Sequence, residues 1–474
     1  FYSLLEKRKG KELDLFTIKM LDGQFQSTRQ FETEMPLNSE QIGGAFNGSR
    51  WLFVFYHPEK QFLKYIAVPS AGGSVKERTV EKSGQWPQGG EALFSQVFPA
   101  DSGGFYLVQP VRQGKIGYRI ERVDNDLATV WKKSFIPEKG VGVFVSGRSS
   151  ASELVFLELR QRPNQERKQH FELIALDGQT GEKRFSQPLH SDELLLFPTG
   201  QILLEANQIV LSGMFFKGNK VKDKNSDGLF VSSFDLQGKQ LQQRLHEWET
   251  MEDAFKPYKK FLAKKPKVMI HSIVRDGEDF LVVGEIFQRA KAPEAKALGK
   301  AGVVKKDPFM DEKNDAAKIS LLDFAAFEVG GEDLGMKAVR FCEKEERIIY
   351  QTDYALLDLD NDDFALALQV AGKTPNVTGS DEGEDVFSFL SLDETAAGEP
   401  VIYFYNQDTQ GLPRFYLGVA TLKGDDFSVK KYWYENLLAI VTGGKWTVYL
   451  PLSEGRVLKN EVTGKKKTWE LTRE

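Results

Sequence analysis

Ala175-Leu176-Asp177-Gly178-Gln179-Thr180-Gly181-Glu182-Lys183 reads as the end of one strand, a tight turn and the start of another. Ala175 and Leu176 close an apolar run that begins at Phe171. Asp177, Gly178 and Gly181 are residue types that bond their own backbone or tolerate positive φ. Working outward, the same layout recurs along the chain: an apolar strand, a polar Gly/Asp/Asn turn and a second apolar strand. The pairs are Ala45-Phe46 with Trp51-Tyr56, Phe94-Phe98 with Phe105-Val108, Val141-Val145 with Leu154-Leu159, Leu194-Phe197 with Ile209-Phe216, Val268-Val274 with Phe280-Ile286, and Tyr354-Leu359 with Phe364-Val370. The intervening turns are read at Asn47-Gly48, Ser102-Gly103-Gly104, Ser146-Gly147, Thr199-Gly200, Asp276-Gly277 and Asn361-Asp362.

After most pairs comes a third strand ending in a turn, then a more polar fourth. Leu13-Leu21 before Asp22-Gly23, Tyr118-Val123 before Asp124-Asn125, and Leu229-Leu236 before Gly238-Lys239 are examples. The early units recur every ~50 residues, the spacing of propeller blades. A four-stranded antiparallel sheet cannot bury both faces alone, whereas stacked blades can. The 35 Phe and 42 Gly among 474 residues suit pleated strands joined by tight turns. The expected fold is all-β: one β-propeller domain over 1–474, of seven or eight four-stranded antiparallel blades, with one partly helical insertion.

The stretch Ala175–Lys183 resembles the "A-x-D-x-x-T-G-x" turn of quinoprotein-type propeller repeats. In that family the Asp and Gly shape the turn and a later aromatic packs between blades. The resemblance gives that role to Phe185, and to Trp131 in the unit at Val123–Trp131. It covers about ten residues of one unit and is degenerate elsewhere, as in Asp235-Leu236-Gln237-Gly238-Lys239. The quinone-dependent enzymes of this class commonly carry a disulfide beneath the cofactor, which a chain with one cysteine, Cys342, cannot make. The resemblance fits the class's non-catalytic scaffold members better, and no cofactor is expected.

Two sections depart from the pattern. The range 248–318 is charged and Ala/Lys-rich and is expected to be a helical and loop insertion between blades. Trp248, Met251, Phe255 and Tyr258 recur there at helical spacing, and Pro257 divides the stretch. Beyond Tyr354 strand signals are dense, at Phe387-Leu392, Val401-Tyr405, Phe415-Leu422, Phe427-Tyr434 and Lys445-Leu450. They do not divide uniquely into blades, and the last strands are candidates to complete the first unit.

Catalytic signatures are absent. The histidines, His57, His170, His190, His246 and His271, show no i, i+4 pair, and there is no H-E-x-x-H, G-x-S-x-G, P-loop or dinucleotide fingerprint. His271 reads as a hydrogen-bonded core group. Asp223-Lys224-Asn225-Ser226-Asp227-Gly228 has the opening of a calcium loop, so Asp223, Asn225 and Asp227 are candidate calcium ligands. Phe234 stands where the bidentate Glu would be, which favours an ordinary hydrophilic hairpin loop. The candidate partner-binding residues are Trp248, Phe255, Tyr258, Lys259 and Lys260, in a segment with an apolar stripe beside a Lys run.

A net charge of -5 gives no reason to expect nucleic acid, and no apolar run is long enough for a transmembrane segment. The chain opens on Phe1 rather than Met, which a removed export signal would explain. The expectation is an exported, periplasmic or cell-surface monomer that binds a protein or glycan partner without catalysis. The alternative is an extracellular polymer-acting hydrolase or lyase whose site lies in the central funnel, assembled from residues distant in sequence.

Overall fold

A computed structural model describes residues 2–21, 27–57, 59–60, 62–81, 95–112, 115–161, 169–218, 226–251, 267–289, 317–341, 352–354, 388–395, 398–408, 414–423, 426–434, 445–452, 455–463 and 466–472. Strands β1 (Tyr2–Lys9), β2 (Leu13–Leu21) and β3 (Ser27–Pro36) form a first, three-stranded antiparallel sheet. The second sheet is a four-stranded meander of β4 (Glu40–Phe46), β5 (Arg50–His57), β6 (Phe62–Pro69) and β7 (Lys76–Glu81). The third comprises β8 (Gln96–Pro99), β9 (Phe105–Arg112), β10 (Ile116–Val123) and β11 (Thr129–Phe135). The fourth comprises β12 (Val141–Ser149), β13 (Glu153–Gln161), β14 (Gln169–Asp177) and β15 (Lys183–Pro188). A single parallel bridge, Ile116 to Val141, joins the third and fourth.

The fifth sheet holds β16 (Leu194–Leu204), β17 (Ile209–Lys217), β18 (Gly228–Phe234) and β19 (Gln240–Glu247). The sixth holds β20 (Lys267–Asp276), β21 (Asp279–Arg289), β22 (Ala317–Val329) and β23 (Met336–Phe341), with a short β24 (Thr352–Tyr354) paired to the start of β22. The seventh holds β25 (Ser388–Glu394), β26 (Pro400–Asp408), β27 (Arg414–Lys423) and β28 (Asp426–Trp433). The last, three-stranded, holds β29 (Lys445–Pro451), β30 (Val457–Thr463) and β31 (Lys466–Thr472). Among the described residues the helical element is one 3-10 turn, Trp248–Met251. The fold is all-β and of propeller type, built from successive antiparallel blades. The first and last sheets are separate and three-stranded, so the described C-terminal strands form a sheet of their own.

Two compact units divide the chain, one of Phe1–Leu195, Ile202–Val210 and Phe234–Leu241, the other of Leu196–Gln201, Leu211–Ser233 and Gln242–Glu474. In the first, the run Trp51–Tyr56 is apolar throughout because β5 buries both faces. Phe53 and Phe55 pack on Phe16, Ile18 and Met20 of β2. Leu52, Val54 and Tyr56 pack on Phe105 and Leu107 of β9. The next seam sets Tyr106, Tyr118 and Trp131 against Phe144, Phe156, Ile174 and Leu176. In the second unit Val274, Leu281 and Val283 meet Ile402, Phe404 and Tyr416, and Val401, Tyr403 and Leu417 meet Val457.

Two of the turn assignments are corrected. Ser146-Gly147 lies within β12, where a register shift between Phe144 and Ser146 marks a bulge. Gly147 is there because a Cβ would stand 2.9 Å from the Phe144 ring. Thr199-Gly200 lies within β16, and the hairpin turns instead at Glu205, whose amide donates to Gln208 O at 2.9 Å. In the range 248–318, the described residues are the 3-10 turn, the strand pair β20–β21 and the start of β22. The remainder, with most of the proposed pair Tyr354-Leu359 and Phe364-Val370, lies outside the described residues.

Candidate functional site

One interaction repeats from blade to blade. In the third, fourth and fifth blades the turn joining the third and fourth strands is built on an Asp. Asp124 Oδ1 accepts from the amides of Asp126 and Ala128 at 2.8 and 2.9 Å. Asp177 Oδ1 accepts from Gln179 and Thr180, both at 2.9 Å, and Asp235 Oδ1 from Gln237 and Lys239 at 3.0 and 2.8 Å. Each turn then passes through the left-handed region, at Leu127 (φ 64°), Gly181 (φ 72°) and Gly238 (φ 82°). The Arg184 guanidinium and the Thr180 amide hold the Asp177 carboxyl well below the usual carboxylate range.

In five successive pairs of blades the outer strand of one grips the third-to-fourth-strand turn of the next. Arg29 on β3 donates to the carbonyls of Ala71 and Gly73 at 2.9 and 2.7 Å. Arg78 on β7 donates to the turn's Leu127 O at 3.4 Å and forks onto Glu121 of β10 at 2.9 and 3.1 Å, and Thr129 donates to the same carboxylate. Trp131 on β11 lies against Gly181, where a Cβ would come within 2.8 Å of the indole, and its Nε1 donates to Gly178 O at 3.0 Å. Phe185 on β15 covers Gly238 in the same way, with 2.5 Å to a Cβ. On β19, Gln242, Arg244 and His246 donate to the carbonyls of Glu332, Asp333 and Leu334 at 2.6, 3.0 and 2.9 Å.

The first-to-second-strand turns emerge at the same end of each meander and are tied sideways too. Asn47 Nδ2 donates to Asn125 Oδ1 at 2.7 Å and to Gly104 O at 3.2 Å. Ser149 Oγ donates to Pro99 O at 2.9 Å. Buried Arg122 donates to Gly178 O, Gln179 Oε1 and Ser102 Oγ at 2.7–2.8 Å. The result is a stitched rim of turns across the second, third and fourth sheets.

At the opposite strand ends a titratable patch forms on the fourth sheet. Arg160 Nη2 meets Glu158 Oε2 at 2.8 Å and its Nη1 meets Glu172 Oε1 at 2.9 Å. Ser186 Oγ donates to Glu172 Oε2 at 2.8 Å. Glu158 is buried, whereas the Arg160 side chain is 45% exposed. Burial raises the Glu158 carboxyl above its ordinary value of 4.5, and Arg160 offsets this only in part. Burial, reinforced by Glu158, also pushes the Tyr118 hydroxyl well above its usual range. Next to this group, His170 and His190 lie ring on ring, with centroids 3.9 Å apart.

A carboxyl whose folded value is raised stabilises the fold most below 4.5 and loses that contribution as pH rises through the folded value. Glu158→Gln stays neutral throughout and escapes the loss. Its melting temperature relative to the parent is therefore expected to be higher at pH 8 than at pH 4.5. Paired thermal melts at the two pH values check this, and the reverse order would mean that the Arg160 ion pair outweighs burial.

Residues 1–346 match the model of a family of unknown function, DUF6770. The chain belongs to this family. No curated protein matches the DUF6770 chain in sequence. Among solved structures it is similar to the β-propeller domain of the Trilobed protease from Pyrococcus furiosus, at 8% identity and TM-score 0.38, covering 91% of this chain and 98% of that one. It is also similar to the apocarotenoid oxygenase of Synechocystis (Trp149Ala mutant), at 11% identity and TM-score 0.30, covering 74% and 59%. A structure of prolyl endopeptidase follows at 8% and 0.34, covering 85% and 43%. The DUF6770 chain thus spans 59% of the oxygenase and 43% of the endopeptidase, less than two thirds of either. The fold assignment rests on its own strand pairing.

The sequence-derived site residues are dispersed in the DUF6770 chain. Asp227 Oδ2 accepts from the Lys217 amide at 2.6 Å across the β17–β18 hairpin, and Asp223 and Asn225 lie outside the described residues. Trp248 donates its indole N–H to Ser226 Oγ at 3.0 Å and lies 6.0 Å from the Phe327 ring, which anchors it within its own unit. Phe255, Tyr258, Lys259 and Lys260 lie outside the described residues. Trp131 and Phe185 both pack on the following blade's turn, as the repeat resemblance implied. Among the described residues no three His, Cys, Asp or Glu side chains converge in metal-ligand geometry, and no helix is long and apolar enough to cross a membrane.

The Glu158 patch and the histidine pair carried no motif. Register would have revealed the pair. Glu172 faces Pro188 in the β14–β15 ladder, and the Leu189 amide donates to Phe171 O at 2.8 Å. Continuing the ladder places His190 beside His170.

Proposed function

We propose that the DUF6770 chain is a non-catalytic binding scaffold that presents the stitched rim of turns to a protein or glycan partner. The carrying observation is the lateral bonding of the rim. Asn47, Arg122, Trp131 and Ser149 fix neighbouring turns to one another before any partner arrives. A surface ordered in advance loses little conformational entropy on binding, so modest contacts suffice. Kinship to the quinoprotein-type repeats fits this reading through the clasped Asp-Gly turns, and export would place the rim before extracellular partners.

A second reading, hydrolysis or lysis of an extracellular polymer, has one observation in its favour: the raised Glu158 carboxyl beside Glu172. Paired carboxyls with separated proton affinities are the equipment of acid–base chemistry. Arg160 bridges both, which suits an ion-pair network better. Incubating the full chain with a panel of insoluble polysaccharides and denatured polypeptides separates the two. The scaffold reading expects retention on one of them with no new reducing ends or amino termini. New ends that vanish in Glu158→Gln would replace it with the enzymatic reading.

A further inference from the structure

We infer that β19 is a self-association edge, at which two copies of the chain pair strand to strand, in place of the monomer expected from the sequence. It is the last strand of the fifth sheet, and among the described residues no strand pairs with its outer edge. Such an edge offers amides and carbonyls to another strand, and lysine along it is a common guard. The fourth strands of the second, third, fourth, sixth and seventh blades all carry lysine, at Lys76, Lys132, Lys183, Lys337 and Lys430. Gln240–Glu247 has none. It shows solvent two leucines instead, Leu241 at 50% and Leu245 at 40% exposed. Its arginine, Arg244, is turned onto Asp333 O at 3.0 Å.

The pattern along the strand is complementary to itself. Side chains alternate, so Leu241, Gln243, Leu245 and Glu247 share one face, and Gln242, Arg244 and His246 on the other clasp the sixth blade. Antiparallel pairing about Gln243 sets Leu241 opposite Leu245 of the second copy, and Leu245 opposite its Leu241. Just beyond the start of the strand, the same register brings exposed Lys239 opposite Glu247 of the second copy. Glu247 bonds Lys217 at 2.7 Å, yet its side chain stays 36% exposed and has room for a second cation. Two-fold symmetry makes each of these contacts twice. Other registers do worse. A one-residue slip sets the leucines opposite His246 and Gln242. Centring on Arg244 sets that guanidinium opposite its own copy, and centring on Gln242 sets Leu245 opposite Lys239. Opposite charges and apolar pairs across strands stabilise, and like charges destabilise.

Sedimentation equilibrium of the full chain over a wide concentration range tests this, and a reversible monomer–dimer equilibrium is expected. Leu245→Lys should weaken it at least about tenfold, because the change enters the interface twice. Lys239→Glu alone should weaken it about fivefold, and adding Glu247→Lys should restore it. A chain that stays monomeric, a dimer indifferent to Leu245→Lys, or a charge exchange without recovery overturns the inference. Should a variant fail to fold, cross-linking decides. In a Cys342→Ser background, Gln243→Cys lies opposite its own copy and should oxidise to a covalent dimer. Leu241→Cys, displaced from its own copy in this register, should not. Equal cross-linking of the two, or none with Gln243→Cys, overturns the pairing.

Discussion

Replacing Trp131 with alanine is expected to lower the unfolding free energy by about 3–5 kcal/mol, the range for removing a large buried aromatic. The indole is buried in the seam between the third and fourth blades, and it contacts Tyr106 at 5.9 Å between centroids. It also covers Gly181, whose lack of a Cβ permits the approach, and donates to Gly178 O. Alanine removes all of this at once, and the left-handed turn cannot collapse onto the space. Trp131→Phe should keep most of the packing and lose the hydrogen bond, at about 1 kcal/mol. Urea unfolding of the three proteins checks the order. Equal losses for the two variants would mean that the hydrogen bond, not the packed ring, holds the seam.

The second large effect concerns Glu121. Its carboxylate is buried between the second and third blades, gripped by Arg78 and by Thr129. Removing the carboxylate leaves half-buried Arg78 and the Thr129 hydroxyl without their acceptor, so Glu121→Ala is expected to cost about 1–3 kcal/mol. Replacing both, as Arg78→Met with Glu121→Leu, removes the desolvation penalty together with the attraction and should cost far less. The same denaturation measurement on single and double variants decides. A double variant as unstable as Glu121→Ala would show that the pair itself, with its bidentate geometry, sustains the seam. Nearby, Gln109 donates to the buried Tyr65 hydroxyl at 2.7 Å, and burial raises that phenol to about 12. An unmatched member of a polar seam of this kind is costly.

Much of the fold was legible because blade strands bury both faces. That gives unbroken apolar runs such as Trp51–Tyr56, and the turn chemistry of Asn47-Gly48, Asp276-Gly277 and Asp177–Gly181 separates them. Legibility failed where glycine serves packing rather than turning. Gly147 lies in a strand because Phe144 and Phe98 crowd it, and composition alone cannot distinguish this use from a hairpin. It failed also at Leu127, which adopts the left-handed conformation while its side chain is buried among Val54, Phe105 and Val123. Packing there overrides local preference, so the repeat looks degenerate although its geometry persists. The site was less legible than the fold. Glu158, Glu172, His170 and His190 come together through ladder register, and no spacing along the chain encodes that.

The clasps all run the same way. Each gripping side chain of an outer strand, from Arg29 through Arg78, Trp131 and Phe185 to His246, precedes in sequence the turn it holds. During synthesis the grip therefore always exists before the thing to be gripped, and each blade emerges onto a waiting partner. Until the following turn arrives, the newest outer strand shows an uncovered aromatic ring or unsatisfied guanidinium on its downstream side alone. Assembly of the array thus has a direction written into its joints, and a stalled or truncated chain is left with one exposed, adhesive end.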